Sequence, residues 1–226
     1  MHREVLTVSD TRREARSDFI ISETQVAIAL DGRVEERVSC LPNNLEELAI
    51  GYWLSRGVAV MNIEVHSGDD EVLLLARTTG AVQRAVVASQ HTITEGQVFH
   101  FVEELDRNCP LYKTTGGTHV VAIFHELGAL FIEDISRHCA IDKVIGKSIK
   151  NGVELTESVL VTSCRQTAST VTKAIYARIP IIVSIATTTD LAIKNADFFG
   201  ISIVGFARGR QFNIYCHDWR ILTRHQ

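Results

Sequence analysis

Short apolar runs alternate with helix-like patterns in the second half of the chain. The apolar runs are continuous, which is typical of strands buried on both faces, and the intervening segments carry apolar residues three or four positions apart. This alternation predicts an α/β unit with a largely parallel sheet covered by helices on both faces. The predicted strands are 120–124, 129–132, 159–162, 181–185, 201–205 and 212–216, and the predicted helices are 137–151, 166–178 and 190–199.

The first half of the chain has a smaller α+β pattern. Asp31-Gly32 lies between two strand-like runs and predicts a tight hairpin turn, and Thr94 with Gln97 forms a capping box at a helix start. The predicted elements are a hairpin at 26–39, a strand pair at 61–66 and 71–77, and helices that open at Asn44 and Thr94. We therefore expect a loose, flexible arm at 1–20, a smaller α+β part at 21–110 and an α/β ligand-binding core at 111–226.

Composition and charge exclude several classes of protein. The 226 residues are 46% hydrophobic and 22% charged, as in an ordinary globular protein. A net charge of −4 is not that of a general nucleic-acid binder, which carries a basic face. No apolar run is long enough to span a bilayer, and the polar N-terminus is not a secretory signal. We expect a cytoplasmic protein that binds neither nucleic acid nor membrane.

The five cysteines show no metal-binding or redox motif. They are Cys40, Cys109, Cys139, Cys164 and Cys216. No two have C-x-x-C spacing, so the sequence predicts no zinc site and no thioredoxin-type motif. On local grounds Cys164 is the best thiolate candidate, because it precedes a helix and adjoins a basic residue, and Cys139 ranks second. For both, the commoner role is that of a small buried apolar residue.

Polar clusters follow the predicted strands at their carboxyl ends, where open α/β sheets bind ligands. Hydroxyls at helix N-termini and forked arginine donors suit phosphate oxygens. The clusters are Ser163-Cys164-Arg165, Ala186-Thr187-Thr188-Thr189 and Phe206-Ala207-Arg208-Gly209-Arg210, and a turn at Thr115-Gly116-Gly117-Thr118-His119 joins them. Each cluster alone is more often a helix cap or a structural ion pair. Together they favour a nucleotide-sized anion, although neither a P-loop nor a G-x-G-x-x-G fingerprint is present.

Seven segments of the chain resemble the formate dehydrogenase accessory sulfurtransferase family (FdhD type), and they occur in the same order as in that family. They are Glu23–Ile28, Leu45–Tyr52, Thr115–His119, Glu133–Lys143, Ser163–Arg165, Val204–Arg208 and Phe212–Tyr215. The resemblance implies a cytidine-deaminase-like three-layer αβα core without zinc, and a homodimer. It also implies sulfur transfer, as a persulfide, from a cysteine desulfurase to the bis(molybdopterin guanine dinucleotide) molybdenum cofactor, before that cofactor enters formate dehydrogenase.

The resemblance and the strand-end clusters together define the expected cofactor-binding residues. The segment that matches the family's cofactor-binding stretch is Phe206, Ala207, Arg208, Gly209, Arg210 and Gln211. The other expected residues are Thr115, Gly116, Gly117, His119, Glu133, Asp134, Arg137, His138, Asp142, Lys143, Ser163, Arg165, Thr188 and Thr189. We expect GDP to serve as a simple analogue of the ligand. A carboxylate of Glu133, Asp134 or Asp142 is expected to accept hydrogen bonds from guanine N1 and N2.

One segment departs from the family pattern. The family carries its sulfur on loop cysteines, commonly Cys-Gly-x-Cys, between the second strand pair and the next helix. Here residues 77–89 contain no cysteine. The leading hypothesis is therefore a sulfurtransferase, and the alternative is a non-catalytic carrier that holds the same cofactor and docks to the dehydrogenase. A third hypothesis is that the natural chain has a longer loop at this point. A zinc deaminase is the least favoured, because the sequence lacks the H-x-E and P-C-x-x-C motifs that hold the zinc and its catalytic glutamate.

Overall fold

The computed structural model describes residues 1–223. The strands in chain order are β1 (His2–Ser9), β2 (Arg12–Phe19), β3 (Thr24–Leu30), β4 (Arg33–Cys40), β5 (Val58–Ser67), β6 (Val72–Ala81), β7 (Ile93–Thr94), β8 (His119–His125), β9 (Gly128–Asp134), β10 (Val159–Thr162), β11 (Ile181–Ser184), β12 (Ser202–Arg208), β13 (Gln211–Cys216) and β14 (Ile221–Leu222). The helices are α1 (Leu45–Leu54), α2 (Glu95–Arg107), α3 (Pro110–Thr115), α4 (Arg137–Lys150), α5 (Ala168–Ala177) and α6 (Asp190–Phe199).

A six-stranded sheet in the order β13-β12-β11-β10-β8-β9 forms the centre of the C-terminal half. Only β10-β11 and β11-β12 pair in parallel, whereas β8-β10, β8-β9 and β12-β13 pair antiparallel. The prediction of a largely parallel sheet is therefore wrong. The outer strands on each side are joined by tight hairpins, and a hairpin necessarily adds an antiparallel neighbour.

Helices cover both faces of this sheet, as predicted. Leu160 of β10 packs with residues of α4, α5 and α6 on one face, while its neighbours Val159 and Val161 pack with residues of α2 on the other. This alternation of side chains across β10 buries the strand completely. The boundary that the sequence predicts near residue 110 assigns α2 to the N-terminal part. In the structure, however, Val98 and Leu105 of α2 pack against the C-terminal sheet.

A four-stranded sheet in the order β4-β3-β6-β5 forms the core of the N-terminal half. It includes the predicted hairpin at 26–39, whose strands pair as expected. Its apolar side chains pack on α1, and α1 in turn packs on α4 of the C-terminal half. The two helices cross at Gly51 and Gly146. A Cβ atom on Gly51 would lie 1.9 Å from the Asp142 carbonyl oxygen, so the backbones are in direct contact.

The first nineteen residues form a regular hairpin instead of the expected loose arm. Strands β1 and β2 pair over their full lengths, from His2 opposite Phe19 to Ser9 opposite Arg12. Nearly all of their side chains are exposed, so the sequence carries no alternation of buried and exposed positions that would predict strands. Within residues 1–223, no helix combines the length and apolar character needed to cross a bilayer.

The segment 82–92, between β6 and β7, has no regular secondary structure but is anchored to the core. The Val87 N–H donates to the Phe199 carbonyl at 2.8 Å, and the Val87 side chain is buried. The buried Arg220 guanidinium donates to the Ser89 carbonyl at 2.9 Å and to the Gly200 carbonyl at 2.8 Å. Because its backbone is held at several points, this segment is an ordered strap across the end of α6.

Candidate functional site

A cleft of about 810 Å³ opens along the edge of the six-stranded sheet where β10, β11 and β12 end. We call it the rim cleft. Since β8 runs antiparallel to β10, its first residue, His119, lies at the same edge. The lining includes Gly116, Gly117, His119, Ser163, Arg208 and Gly209, all of which were expected from the sequence. Two of the three strand-end clusters and the glycine turn therefore contribute residues to the lining, whereas Ala186-Thr187-Thr188-Thr189 does not.

Arginine side chains at this edge lack acidic partners. Among residues 1–223, Arg137, Arg165 and Arg208 form no ion pair with a carboxylate. The Nε atom of Arg137 is buried and has no hydrogen-bond partner within the described part of the chain. Burial lowers the pKa of His119, and the charges of Arg137 and Arg165 lower it further, so His119 is neutral near pH 7. These unpaired cations favour an anionic ligand.

Ser163 and two glycine turns line the cleft. The Ser163 hydroxyl oxygen accepts from the Val120 N–H at 3.0 Å, which fixes this side chain at the cleft wall. Gly116 ends α3 at φ 65° and Gly209 turns from β12 into β13 at φ 59°, conformations that favour glycine. Because neither glycine has a side chain, a ligand can approach the backbone closely at both turns.

The loop before α6 is tied to the same edge. Thr188 pairs with Gln166, and the Phe206 N–H donates to the Ala186 carbonyl at 3.0 Å, which joins this loop to β12. The Thr188 hydroxyl and the Gln166 side-chain oxygen are buried and have no partner within residues 1–223. Thr189 accepts a hydrogen bond from the Ala192 N–H and so serves as the N-cap of α6.

Several expected site residues have structural roles instead. The Glu133 carboxylate accepts from the backbone N–H groups of Leu111 and Tyr112 at 2.9 and 2.8 Å, and thereby fixes the start of α3. The Thr115 hydroxyl donates to the Leu111 carbonyl at 2.7 Å. Arg210 stacks over the Phe99 ring of α2, 5.2 Å from its centroid. The cleft lining also does not include Phe206, Ala207 or Gln211. Ala207 is buried, and Gln211 is exposed.

Two expected carboxylates form buried ion pairs away from the rim cleft. Asp134 lies 2.6 Å from the Lys143 ammonium, and both side chains are fully buried. Asp142 accepts from the Lys173 ammonium at 2.6 Å through each oxygen, and from the Ser55 hydroxyl at 2.8 Å. Since these groups satisfy one another, neither aspartate is available to guanine in this structure.

Asp142 and His138 line a second cavity of about 630 Å³ between α1, β4, α4 and α5. Burial lowers the pKa of His138, and the nearby charges of Lys173 and Arg137 lower it further. The charge of Arg137 also lowers the pKa of His119, which lines the rim cleft. The expected residues thus divide between two separate cavities.

None of the five thiols is an exposed thiolate. Cys40, Cys109, Cys139 and Cys164 are buried, and Cys216 is half-buried. Burial raises the pKa of Cys164, which contradicts the preference for that thiol on local sequence. Burial also raises the pKa of Cys216, to about 11. Only the pKa of Cys40 is lowered, by a hydrogen bond from Cys139.

A family model decides the relationship of this chain to known proteins. The model described as the FdhD/NarQ family matches residues 63–222. The chain belongs to the FdhD/NarQ family. This confirms the family resemblance described from the sequence.

Relatives of this FdhD/NarQ protein match it over most of their length. "Sulfur carrier protein FdhD" of Methanothermobacter thermautotrophicus is 32% identical over 98% of this chain and 99% of its own. The protein of the same name from Wolinella succinogenes is 30% identical over 92% of this chain and 84% of its own. A crystal structure of a candidate formate dehydrogenase accessory protein from Desulfotalea psychrophila matches with a TM-score of 0.86 at 22% identity, over 98% and 99% of the two chains. That likeness establishes the mixed α/β fold.

The structure adds one wall of the rim cleft that the sequence did not reveal. Glu103, Asp106 and Arg107 of α2, with Tyr112 of α3, also line the cleft. Glu103 pairs with Arg107 at 3.5 Å and Asp106 with Lys113 at 3.6 Å, so this wall carries charges of both signs. Charged residues on the outer side of an amphipathic helix usually contact solvent. Nothing in the sequence therefore indicated that these residues of α2 line a cleft.

Proposed function

We propose that this FdhD/NarQ protein binds the guanine-dinucleotide form of the molybdenum cofactor in the rim cleft, and passes sulfur to it before it enters formate dehydrogenase. The observation that carries the proposal is the group of unpaired cations, Arg137, Arg165 and Arg208, at one edge of the sheet. The cysteine desulfurase, the formate dehydrogenase and the homodimer belong to the same proposal, as does the cytidine-deaminase-like description of the core.

Phosphate chemistry supports a nucleotide ligand. Guanidinium groups offer forked N–H donors that match phosphate oxygens, and the partnerless Nε of Arg137 is a donor left without an acceptor among residues 1–223. Ser163 adds a hydroxyl group and the glycine turn at Gly209 adds room at the same edge. A diphosphate at this end of the cleft would contact Arg208, Ser163 and Gly209, which line it.

The size and polarity of the cleft also fit one nucleotide arm. A volume of about 810 Å³ lies within the range of small-molecule sites, roughly 300–1,000 Å³. Glu103 and Asp106 on the α2 wall each pair with a cation through one oxygen only and are exposed, so their other carboxylate oxygens can accept hydrogen bonds from the guanine N1 and N2 donors. The phosphates would then lie toward Arg208 and the base toward α2.

A carrier that does not move sulfur is the second candidate function. The observation in its favour is the burial of the thiols, since four of the five cysteines are buried and the pKa of the fifth is raised to about 11. A carrier would hold the cofactor in the rim cleft and release it to the dehydrogenase. Both candidates require cofactor binding, and they differ only in whether a thiol of this chain accepts sulfur.

Replacing Arg208 with alanine is expected to weaken GDP binding about tenfold or more. Loss of a charge-assisted hydrogen bond to phosphate removes about 1.5–3 kcal/mol, and each 1.4 kcal/mol corresponds to about tenfold in affinity. Isothermal titration of GDP against the parent and Arg208→Ala would measure the change. Arg165→Ala should weaken GDP similarly, because this arginine is exposed at the same edge and acts on His119.

Arg33→Ala is the matched control for net charge. Arg33 is exposed on β4 of the other sheet and pairs only loosely with Glu35, at 3.7 Å. GDP affinity should be unchanged in this variant at physiological salt, where distant exposed charges are screened. Equal losses in Arg33→Ala and Arg208→Ala would mean a general charge effect, and no saturable GDP binding to the parent would contradict the proposed function.

A further inference from the structure

A groove of about 770 Å³ lies at the edge of the six-stranded sheet opposite to the rim cleft, and we call it the distal groove. Since β8 runs antiparallel to β10, the end of β8 and the start of β10 lie together at this edge, where Phe124 is the register partner of Val159. His119 and His125, at the two ends of β8, line the rim cleft and the distal groove respectively. The strand between them spans about 20 Å, at roughly 3.4 Å per residue.

The floor of the distal groove is apolar and includes two stacked aromatic rings. The Phe101 ring of α2 and the Phe124 ring of β8 stack with their centroids 4.2 Å apart, and Ile93 and Val159 also line the groove. Leu127, in the turn between β8 and β9, belongs to the same lining and is 90% exposed. An apolar centre with a polar rim is the usual anatomy of a protein–protein interface. The floor and Leu127 therefore provide such a centre.

The rim of the distal groove is acidic. Glu126, Glu154 and Glu157 line it, and no lysine or arginine of residues 1–223 does. Glu154 accepts from the Thr156 hydroxyl at 2.6 Å and from the Thr156 N–H at 3.2 Å, and these hydrogen bonds lower its pKa. Glu157 lies 3.6 Å from the His91 ring. Within the described part of the chain, none of the three carboxylates pairs with a lysine or an arginine.

The C-terminal end of α4 adds to the negative potential of the distal groove. Asn151 and Gly152 follow directly after α4 and line the groove. The carbonyl groups at the end of a helix carry partial negative charge and favour a cation within about one turn. Lys150, the last residue of α4, is itself paired with Glu46 and Glu47 at 2.6 and 2.8 Å. The distal groove therefore favours a cationic ligand, whereas the rim cleft favours an anionic one.

We propose that the distal groove is a docking site for a basic, apolar segment of a partner protein. A large apolar side chain of that segment lies on the floor beside Leu127, and flanking lysines or arginines contact the three glutamates. Charge complementarity selects this occupant, because unpaired carboxylates repel acidic segments and nucleotides. The proposal goes beyond the proposed function, since it involves neither the cofactor nor sulfur. A partner docked about 20 Å from the rim cleft leaves that cleft open to its own ligand.

Selection of a phage-displayed random peptide library on the immobilised protein, followed by fluorescence anisotropy with an enriched peptide, tests this docking site. The enriched peptides should share an aromatic or aliphatic residue flanked by lysine or arginine. Leu127→Ser should weaken binding about tenfold or more, because it removes an exposed apolar contact. The triple variant Glu126→Gln, Glu154→Gln and Glu157→Gln should weaken it about tenfold or more at low salt, and less at high salt, where charges are screened.

The triple variant Glu4→Gln, Glu35→Gln and Glu64→Gln is the matched control. It changes the net charge by the same amount, and all three glutamates are exposed and lie outside the distal groove. Peptide affinity should be that of the parent. Every variant should also bind GDP as the parent does, because the rim cleft is at the other edge of the sheet, and this shows that the variants are folded.

Three results would overturn the docking site. They are the absence of any enriched peptide on the parent, an enriched set without basic residues, and equal losses of affinity in the two triple variants. Sedimentation velocity tests another occupant: a parent dimer that Leu127→Ser converts to a monomer would show that a second copy of the chain covers the groove, and would also overturn the proposal. GDP binding without peptide binding rejects only the docking site, and peptide binding without GDP binding rejects only the proposed function.

Discussion

Lys143→Met is expected to reduce the free energy of unfolding by about 3–5 kcal/mol, because it leaves the buried Asp134 charge without its partner. The two side chains are fully buried and 2.6 Å apart. The Lys143 ammonium also donates to the Leu41 carbonyl at 2.8 Å, so the substitution removes a second buried hydrogen bond. Urea unfolding followed by circular dichroism would measure the loss.

Two further variants separate the buried charge from a general effect of removing lysine. Lys194→Met removes an exposed lysine that lies 3.6 Å from Asp190, and it should change stability by less than about 0.5 kcal/mol. The double variant Asp134→Asn with Lys143→Met should be more stable than Lys143→Met alone, because asparagine is neutral and still accepts from the Ser136 N–H. A Lys143→Met protein as stable as the parent would show that this ion pair does not stabilise the packing of α4 on β9.

Gly51→Ala is expected to destabilise the protein by about 3 kcal/mol or more, at or beyond the upper end of the usual cost of overpacking. The added Cβ would lie 1.9 Å from the Asp142 carbonyl oxygen. This oxygen belongs to the backbone of α4, so it cannot rotate away as a side-chain atom could. Gly146→Ala should act in the same way from the other helix, because its Cβ would lie 2.0 Å from the Glu47 carbonyl oxygen. Thermal unfolding of each variant would measure the change.

Gly96→Ala is the matched control for these substitutions. Gly96 is also in a helix, α2, but an added Cβ would have no neighbour closer than 3.8 Å. Alanine is favoured over glycine in helices, so this variant should be as stable as the parent or more stable by up to about 1 kcal/mol. If Gly51→Ala matched Gly96→Ala in stability, α1 and α4 would not cross as closely as the structure shows.

Local sequence patterns predicted most elements, because each depends on residues close together in the chain. The fully buried β10 and β11 coincide with continuous apolar runs, and the Thr94–Gln97 capping box opens α2 as expected. Strand direction depends on whether neighbours are joined by a hairpin or a crossover, and apolar content does not encode that difference. The hairpin of β1 and β2 buries neither face, so it left no periodic pattern.

The candidate site was predictable only where it follows the edge of the sheet. His119, Ser163 and Arg208 come together because strand ends at one edge must lie near one another. Asp134 and Asp142 were assigned to the ligand because their partners could not be inferred. Lys173 reaches Asp142 only when α5 packs beside α4. Cys139 likewise reaches the end of β4 only when α4 packs against that strand, which no spacing of cysteines indicates.

The most direct test of the account is a crystal structure of this FdhD/NarQ protein with GDP bound. We expect the diphosphate beside Arg208 and Ser163 in the rim cleft, and the guanine base toward Asp106 of α2. The Arg137 guanidinium, whose Nε lacks a partner among residues 1–223, should gain a phosphate contact. GDP bound away from the sheet edge, with the rim cleft filled only by solvent, would contradict nucleotide binding in the rim cleft.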